Sequence, residues 1–381
     1  MELTDVRTQI DSIDSQLLEL FCRRMDLAQE VAAAKKGMKK AVFDPARERA
    51  KLADIMDRAP ERYASQAVSL FSLLMTMNKA EQQKILHSDD AESLSSRARA
   101  SLLPSSEAFP STAHVACQGV EGAYSQIAAC RLFRVPVISY FTTFEGVFRA
   151  VQSGLCEYGV LPIENSTAGS VNQVYDLMAQ YRVSIVKSLR QKIDHQLLVT
   201  PGTELENITE ICSHQQAIAQ CSDIIERLGA QVTVTENTAM AAQMVAESNR
   251  DDIAAISSQS CAELYGLEVA ARDVQNADSN YTRFVVISAK PKIYPGANRT
   301  SLMVTLKHEP GSLYRMLERF YALGINMVKL ESRPIPGRDF EFVFYFDLEA
   351  PAASNELDTL LDSLDDICDS YVYFGTYTEV L

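Results

Sequence analysis

No apolar run in this sequence approaches the roughly 20 residues that a membrane-crossing helix requires, so no membrane span is expected. Met1-Glu2-Leu3-Thr4-Asp5 lacks a basic stretch followed by an apolar one, which speaks for an unexported, cytoplasmic protein. There is no C-x-x-C pair among the 8 cysteines, Cys22, Cys117, Cys130, Cys156, Cys212, Cys221, Cys261 and Cys368. Nor do the 5 histidines, His87, His114, His195, His214 and His308, show H-E-x-x-H or any other ligand spacing. Neither a disulfide framework nor a metal or other cofactor is expected, and the scattered cysteines read as reduced thiols. Positive charge is in deficit too: 36 Lys plus Arg stand against 50 Asp plus Glu, a formal charge of -14. That balance excludes general affinity for nucleic acid or an anionic membrane and confines any basic site to a local patch.

What is present is a chain of 381 residues, 47% of them hydrophobic, long enough for two or three domains with sizeable cores. Residues 1–87 hold one glycine, Gly37, and two prolines, Pro45 and Pro60, with apolar residues at helical spacing, so an all-helical module is expected. Residues 88–112 turn to Ser, Ala, Glu and Pro with little periodicity and read as a linker containing some helix. From 113 to 290 short β-branched runs alternate with helical stretches, the pattern of an α/β domain, here expected in two lobes. Pro291-Lys292-Ile293-Tyr294-Pro295-Gly296 marks a second linker. Residues 298–381 then follow a βαββαβ pattern, with strands near 301–307, 325–332, 341–347 and 371–377 and helices near 312–323 and 354–364. The expected fold class is multidomain: all-α, then bilobal α/β, then a small βαββαβ module.

The first helix draws an apolar stripe through Val6, Ile10, Ile13, Leu17, Leu20, Leu27 and Val31; Arg24 fills its one gap, and Lys35 follows one turn on. The second starts at Asp44, an N-cap, with Pro45 in its first turn, and its stripe Leu52, Ile55, Ala59 runs back to Glu48, bordered by Arg47. On the third, Asn78 and Gln82 interrupt Val68, Phe71, Met75 and Ile85. A buried cation costs several kcal/mol unless it is paired, so Arg24 and Lys35 demand a partner. Glu48 can supply one in an internal ion network, and Lys35 can snorkel to water; the excess of cations over acids suits a small anionic ligand inside the bundle. Arg7 lies 17 residues before Arg24, roughly 25 Å along one helix. Both reach one ligand only if two first helices pack antiparallel across a dimer; otherwise Arg7 is an ordinary exposed arginine.

In type and order, Arg7, Arg24, Lys35, Asp44-Pro45-Ala46-Arg47-Glu48-Arg49, Asn78 and Gln82 resemble the all-α chorismate mutase family over essentially the whole module. The resemblance implies that the arginines bind two substrate carboxylates, with Arg7 entering from the partner subunit. It further implies that Lys35 and Gln82 donate to the ether oxygen whose bond breaks, that Glu48 holds a substrate hydroxyl, and that Asp44, Arg47 and Asn78 belong to the same chorismate site. Such a rearrangement is unimolecular and needs no nucleophile; catalysis comes from holding a compact conformer and stabilising charge on the separating oxygen. Asn78 stands where many members have Ser.

In the central domain five β-like runs end in small polar residues that open helices: 159–164 into Asn165, 211–212 into Ser213, 232–234 into Thr235, 253–256 into Ser257, and 114–117 into the loop at Gly119. Ligands in open α/β sheets bind at such strand ends, where helix N-termini offer free N–H donors. Loops that are singly N-caps can together line a cleft for a carboxylate. Thr282-Arg283-Phe284 opens the strand Val285-Val286-Ile287. A Thr hydroxyl relays a proton when a cation polarises it; otherwise the pair is a strand start and a surface cation. His214 has the pKa of an acid/base group, or serves as a hydrogen bonder at a helix start.

Pro162-Ile163-Glu164-Asn165-Ser166, Ser213-His214, Gln220, Leu264-Tyr265-Gly266-Leu267 and Thr282-Arg283-Phe284 together resemble prephenate dehydratase along the entire domain. That family decarboxylates and dehydrates prephenate to phenylpyruvate, protonating the ring hydroxyl while the ring carboxylate departs. The resemblance implies Thr282 as general acid, Arg283 on a substrate carboxylate, and Asn165, Ser166, Thr167, Ser213, Gln220 and Phe284 around the ligand. Gln118-Gly119-Val120-Glu121-Gly122 departs from the usual Leu-Gly-Pro-x-Gly, and Gln215 from a common Pro; neither removes a reacting group.

The last module resembles an ACT domain, a regulatory fold that pairs across subunits and binds amino acids at the interface. Gly311-Ser312-Leu313, after His308-Glu309-Pro310, and Glu331-Ser332-Arg333-Pro334 match the two segments that bind phenylalanine in this enzyme family. Gly311 permits close backbone approach, and a helix start near Ser312 can receive a carboxylate; Glu331 and Arg333 also suit a surface ion pair. The sum resembles the bifunctional chorismate mutase/prephenate dehydratase family. That implies chorismate and prephenate as substrates, phenylalanine as allosteric ligand, and a homodimer or dimer of dimers. The other readings are an amino-acid-sensing binding protein, a dehydratase with an inactive mutase module, or a dehydratase that prefers arogenate.

Overall fold

One uninterrupted helix, Leu3–Met38, opens the chain; with no proline, and no glycine before Gly37, nothing breaks its hydrogen-bond ladder. The computed structural model describes residues 3–38, 44–87, 93–277, 279–335 and 341–381. Helices Pro45–Arg58 and Ala64–His87 follow, the former capped by Asp44, whose side chain accepts from the Arg47 N–H at 3.1 Å. The chain divides into two compact units, Met1–Leu102 with Asn298–Tyr373, and Leu103–Ala297 with Phe374–Leu381.

In the first unit Ala64–His87 is the central helix, packed by Leu3–Met38 and Pro45–Arg58 and also by Ser312–Ala322 and Asn355–Ile367. The first helix buries Ala28 and Ala32 completely, beside half-buried Arg24; small side chains let two helices approach closely. Its large apolar stripe faces elsewhere. Leu17, Leu20 and Leu27 remain 53%, 59% and 53% exposed, so the periodicity marks a face that a single chain leaves open rather than its own core.

The sheet of this unit runs in the order Asn326–Pro334, Phe342–Glu349, Arg299–Leu306 and the first part of Cys368–Val380, the first two pairings antiparallel. Helices Ser312–Ala322 and Asn355–Ile367 supply Met316, Phe320, Leu357 and Leu364 to a core with Leu302, Val304 and Phe346. Each such fully buried side chain contributes roughly 1.5–3 kcal/mol. Within the stretch expected as a linker, Leu94–Ala100 is helical, Ala98 joins this core, and Ser95 Oγ donates to the Asp362 carboxylate at 2.7 Å. Residues 88–92 of that stretch lie outside the described residues. Glu318 is 9% exposed and accepts from Thr76 Oγ1 at 2.9 Å and Ser72 Oγ at 3.2 Å.

The second unit has two lobes. In one, the parallel strands Thr112–Gln118, Val135–Phe141 and Tyr158–Asn165 continue through antiparallel Tyr281–Ser288 and Ser184–Lys192. At its edge Thr378–Val380 run parallel to Lys187–Leu189. Gly375, at φ +126°, is required nearby because a Cβ there would meet the Ile185 carbonyl at 2.6 Å. The other lobe has the order Glu268–Ala271, Gln196–Val199, Ile253–Ser257, Glu210–His214, Gln231–Thr235. Both of its faces are covered: Leu198 and Ala255 pack on one side, Leu197 and Ile256 on the other, as alternating side chains demand. The chain crosses between lobes twice, between Lys192 and Gln196 and between Ala271 and Tyr281. The Ile193 N–H donates to Asn280 O, and the Val274 N–H to His195 O, each at 2.9 Å, joining the two crossings. No helix among the described residues is long and apolar enough to cross a membrane.

Candidate active sites

A cavity of about 370 Å³ opens between the two lobes, walled by Tyr124, Asn165, His195, Gln220, Thr282 and Phe284 among others. Four of the five strand-end loops reach it, through Gln118, Asn165, His214 and Asn237. The fifth turns away: Ser258 Oγ donates to Gly122 O at 3.2 Å.

Thr282 and Phe284 alternate along Tyr281–Ser288 and so share the face that lines the cleft. Asn165 Nδ2 donates to Thr282 Oγ1 at 2.9 Å, across the register Thr282 to Asn165. Both ends of the Asn165 amide are occupied by protein: Oδ1 accepts from the Thr167 and Ala168 N–H groups at 3.0 Å each, and Nδ2 also donates to Asn280 Oδ1 at 2.8 Å. Thr167 Oγ1 donates to Asn165 Oδ1 at 2.7 Å and accepts from Gln220 Nε2 at 2.6 Å.

Four expected residues do not line this cleft; Thr167 stands behind its wall, bonded to Asn165 and Gln220. Arg283 points to the opposite face of its strand, where its Nη2 lies 3.4 Å from the Glu164 carboxylate; strand alternation puts it out of step with Thr282. Ser213 is fully buried, its Oγ donating to Ile256 O at 2.6 Å. Ser166 Oγ donates to Ser279 O at 2.8 Å and accepts from the Tyr281 N–H at 2.9 Å, tying its loop to the second crossing. His214 lines the cleft, its Nδ1 accepting from the Gln216 N–H at 3.3 Å, and burial lowers its pKa. His195 and Asn280, which sequence reasoning passed over, are 2% exposed and bracket Gln220: His195 Nε2 lies 3.1 Å, and Asn280 Nδ2 2.9 Å, from Gln220 Oε1.

In the helical module Arg24 Nη1 donates to Leu74 O at 2.7 Å, and partial burial pulls its pKa down. Asn78 Nδ2 donates to Arg24 O at 3.2 Å, and Gln82 Nε2 to Asn78 Oδ1 at 2.5 Å, so Arg24, Asn78 and Gln82 form one cluster. Gln82 is 5% exposed, and its Oε1 has no hydrogen-bond partner among the described residues. Glu48 pairs with Lys79 at 3.0 Å rather than with Arg24. Asp44 is spent on its cap, Arg47 and Arg7 are exposed, and the Lys35 side chain lies outside the described residues.

In the C-terminal segment Gly311, at φ +81°, precedes Ser312–Ala322. Ser312 Oγ donates to Glu309 O at 3.0 Å, and Leu313 packs on the core. On Asn326–Pro334, Glu331 pairs with Lys329 at 3.2 Å and Arg333 lies over the Tyr345 ring at 6.0 Å, with Ser332 on the other face. Among the described residues no group of three or more His, Cys, Asp or Glu is placed to hold a metal ion.

Chorismate mutase type II, as a family profile, matches residues 6–83, and Prephenate dehydratase matches residues 115–292. The bifunctional chorismate mutase/prephenate dehydratase of Enterobacter agglomerans is 33% identical over 98% of this chain and 95% of its own length. The chain belongs to the bifunctional chorismate mutase/prephenate dehydratase family. An arogenate dehydratase/prephenate dehydratase of Arabidopsis thaliana is 36% identical over 70% of this chain and 73% of that one. A prephenate dehydratase from Arthrobacter aurescens, solved in complex with L-Phe, superposes with a TM-score of 0.63 at 27% identity, covering 70% of this chain and 89% of that one.

Proposed function

We propose that the chain catalyses two consecutive steps of phenylalanine biosynthesis, chorismate to prephenate in the helical module and prephenate to phenylpyruvate in the interlobe cleft. The modules run over 1–87, 88–112 as linker, 113–290, and 298–381 as an ACT domain; the β-α-β-β-α-β order of the last segment supports that assignment. One observation carries the dehydratase reading: Thr282 Oγ1 accepts from Asn165 in the cleft wall, and no described residue accepts its own proton. That proton is available to the ring hydroxyl of prephenate. The hydroxyl leaves as water, the ring carboxylate leaves as carbon dioxide, and the electron pair of the broken C–C bond completes the aromatic ring. Thr282 retakes a proton from solvent, so one proton is consumed per turnover, with general-acid help worth about 10²- to 10⁴-fold. Because Arg283 faces Glu164, the substrate carboxylates fall to the N–H groups that open Tyr124–Leu132 and Thr238–Ser248.

In the mutase module Arg24, Asn78 and Gln82 form the inner wall, with Glu48, Arg47, Asp44 and Lys35 completing the chorismate site. The open stripe of Leu3–Met38 supports a homodimer in which Arg7 reaches the partner's site, since a patch of large apolar side chains on that scale is a typical association surface. Phenylalanine, received at Gly311–Leu313 and Glu331–Arg333, restrains the dehydratase by binding one arrangement of the dimer more tightly than another.

The purified, metal-free protein should convert chorismate to phenylpyruvate, more slowly with phenylalanine present. Accumulated prephenate would confine activity to the helical module, and untouched chorismate and prephenate would sink both assignments. The Arabidopsis relative's name raises arogenate as the alternative dehydratase substrate; matched kcat/KM values for prephenate and arogenate decide between them.

A further inference from the structure

We infer that His195 and Asn280 are positioning residues for the dehydratase step, holding a hydrogen-bond chain of fixed direction that leaves the Thr282 proton facing the cleft. The inference rests on the dehydratase reading of that cleft. Its direction follows from groups that cannot reverse. Asn165 Oδ1 accepts from two backbone N–H groups at 3.0 Å, and Asn165 Nδ2 donates to the Tyr281 carbonyl at 3.3 Å. Backbone donors and acceptors have one polarity, so the Asn165 amide cannot be turned round.

The remaining orientations propagate from there. Asn165 Nδ2 donates to Thr282 Oγ1 and to Asn280 Oδ1, which must therefore be the oxygen of that amide. Asn280 then presents Nδ2 to Gln220 at 2.9 Å, which makes the facing atom Gln220 Oε1 an acceptor. Gln220 Nε2 is left for Thr167 Oγ1 at 2.6 Å and Asn165 Oδ1 at 3.5 Å, both of which can accept. With an oxygen 3.1 Å away, His195 Nε2 carries the ring proton and donates it. The neutral ring then has a bare Nδ1, buried and without a hydrogen-bond partner among the described residues. Burial also depresses the His195 pKa, which keeps the ring neutral.

The placement of these residues gives the chain a purpose. Gln220 belongs to one lobe, Asn165 and Thr282 to the other, and His195 and Asn280 sit on the two crossings that join them. His195 and Asn280 hold Gln220 Oε1 from the hinge side, so Gln220 Nε2 can reach over to Thr167 and Asn165. With Asn165 Oδ1 saturated in this way, Nδ2 is the end that faces Thr282, Asn280 and the Tyr281 carbonyl. The contacts of Gln220 with Thr167 and Asn165 exist only while the two lobes keep their present separation, and they brace from the other lobe the amide that orients the reacting hydroxyl.

The test uses the full chain and measures prephenate turnover and chorismate turnover on the same preparations. His195→Leu is expected to lower dehydratase kcat roughly 10- to 100-fold with KM changed by less than about 3-fold. His195→Gln, whose amide N–H can take the Nε2 position, should restore most of that loss. Asn280→Asp, which sets an acceptor against Gln220 Oε1, should lose kcat as His195→Leu does. Unchanged mutase turnover in all three reports that the chain is folded. Independently of activity, ¹⁵N-histidine NMR of the unsubstituted protein, with His195 assigned by the signal missing from His195→Gln, should show a neutral ring protonated on Nε2. An Nδ1–H tautomer, an imidazolium at neutral pH, full kcat in His195→Leu, or a His195→Gln as impaired as His195→Leu would each overturn the inference. Should the unsubstituted protein leave prephenate untouched, the dehydratase reading fails, while the tautomer measurement still decides the direction of the chain.

Discussion

Removing the Glu318 carboxylate tests how the central helix of the first unit is held. Thr76, 4% exposed, and Ser72 both donate to it, at 2.9 and 3.2 Å. A hydrogen bond to an ionised group contributes about 1.5–3 kcal/mol, and a buried hydroxyl deprived of its acceptor costs about 1–3 kcal/mol. Arg319, 3% exposed, loses the attraction of the same carboxylate while keeping that of Asp366. Glu318→Ala is therefore expected to destabilise by about 3–5 kcal/mol, the range for breaking a buried charged pair. Thr76→Val should cost about 1–2 kcal/mol. The double variant should fall short of the sum by about 1.5–3 kcal/mol, because the second change removes an interaction already gone. Urea unfolding followed by far-ultraviolet circular dichroism on all four proteins gives the coupling. Additivity to within about 0.5 kcal/mol would refute the shared network. Because the same helix carries Asn78 and Gln82, Glu318→Ala should also raise the mutase KM.

Arg7→Ala and Arg24→Ala are each expected to abolish mutase turnover. Mixed after unfolding and refolding together, they should recover about a quarter of wild-type activity, since one of the two sites in each heterodimer is intact; no recovery would refute the cross-subunit role. His195 and His214 are both held below the ordinary histidine value of 6.5 by burial. As pH falls the unfolded chain then binds more protons than the folded one, so stability fully present above 6.5 is lost on acidification through the depressed values. The melting temperature should accordingly rise from about pH 5 to about pH 7.5, and less so in His195→Gln; identical profiles would contradict this. Gly375→Ala combines a positive φ with a Cβ aimed at the Ile185 carbonyl and should destabilise by upwards of about 1 kcal/mol; an unchanged melting temperature would count against that strain.

How far the sequence could be read depended on whether a feature was local. The Asp44 cap and the strand-end loops at Asn165 and His214 were legible because turn chemistry and periodicity act over a few residues. The stripe through Leu17, Leu20 and Leu27 was legible as a stripe, but hydropathy says only that a face avoids water. The pair Ala28 and Ala32 was the better sign of close packing inside one chain. The orientation of Arg283 was legible too: in a strand that starts with Thr282 on the cleft face, position 283 points to the other face, where it meets Glu164. His195 and Asn280 lay beyond reach for a different reason. They sit in crossings with no period of their own, and only the pairing of Ile193 with Asn280 and of Val274 with His195 brings them together.

The short run Thr378–Val380 beside Lys187–Leu189 has a bearing on how this protein can be taken apart. A chain cut after Ala297 would retain every residue matched to the dehydratase family. It would nevertheless lose Val380, which packs against the core of that lobe, and bare the backbone of Lys187–Leu189 as an open edge, the kind of surface that recruits strands from other molecules. Residues 374–381 lie last in the chain yet belong to the unit of Leu103–Ala297, so the terminal residues act as the last stitch of a lobe whose other strands precede them.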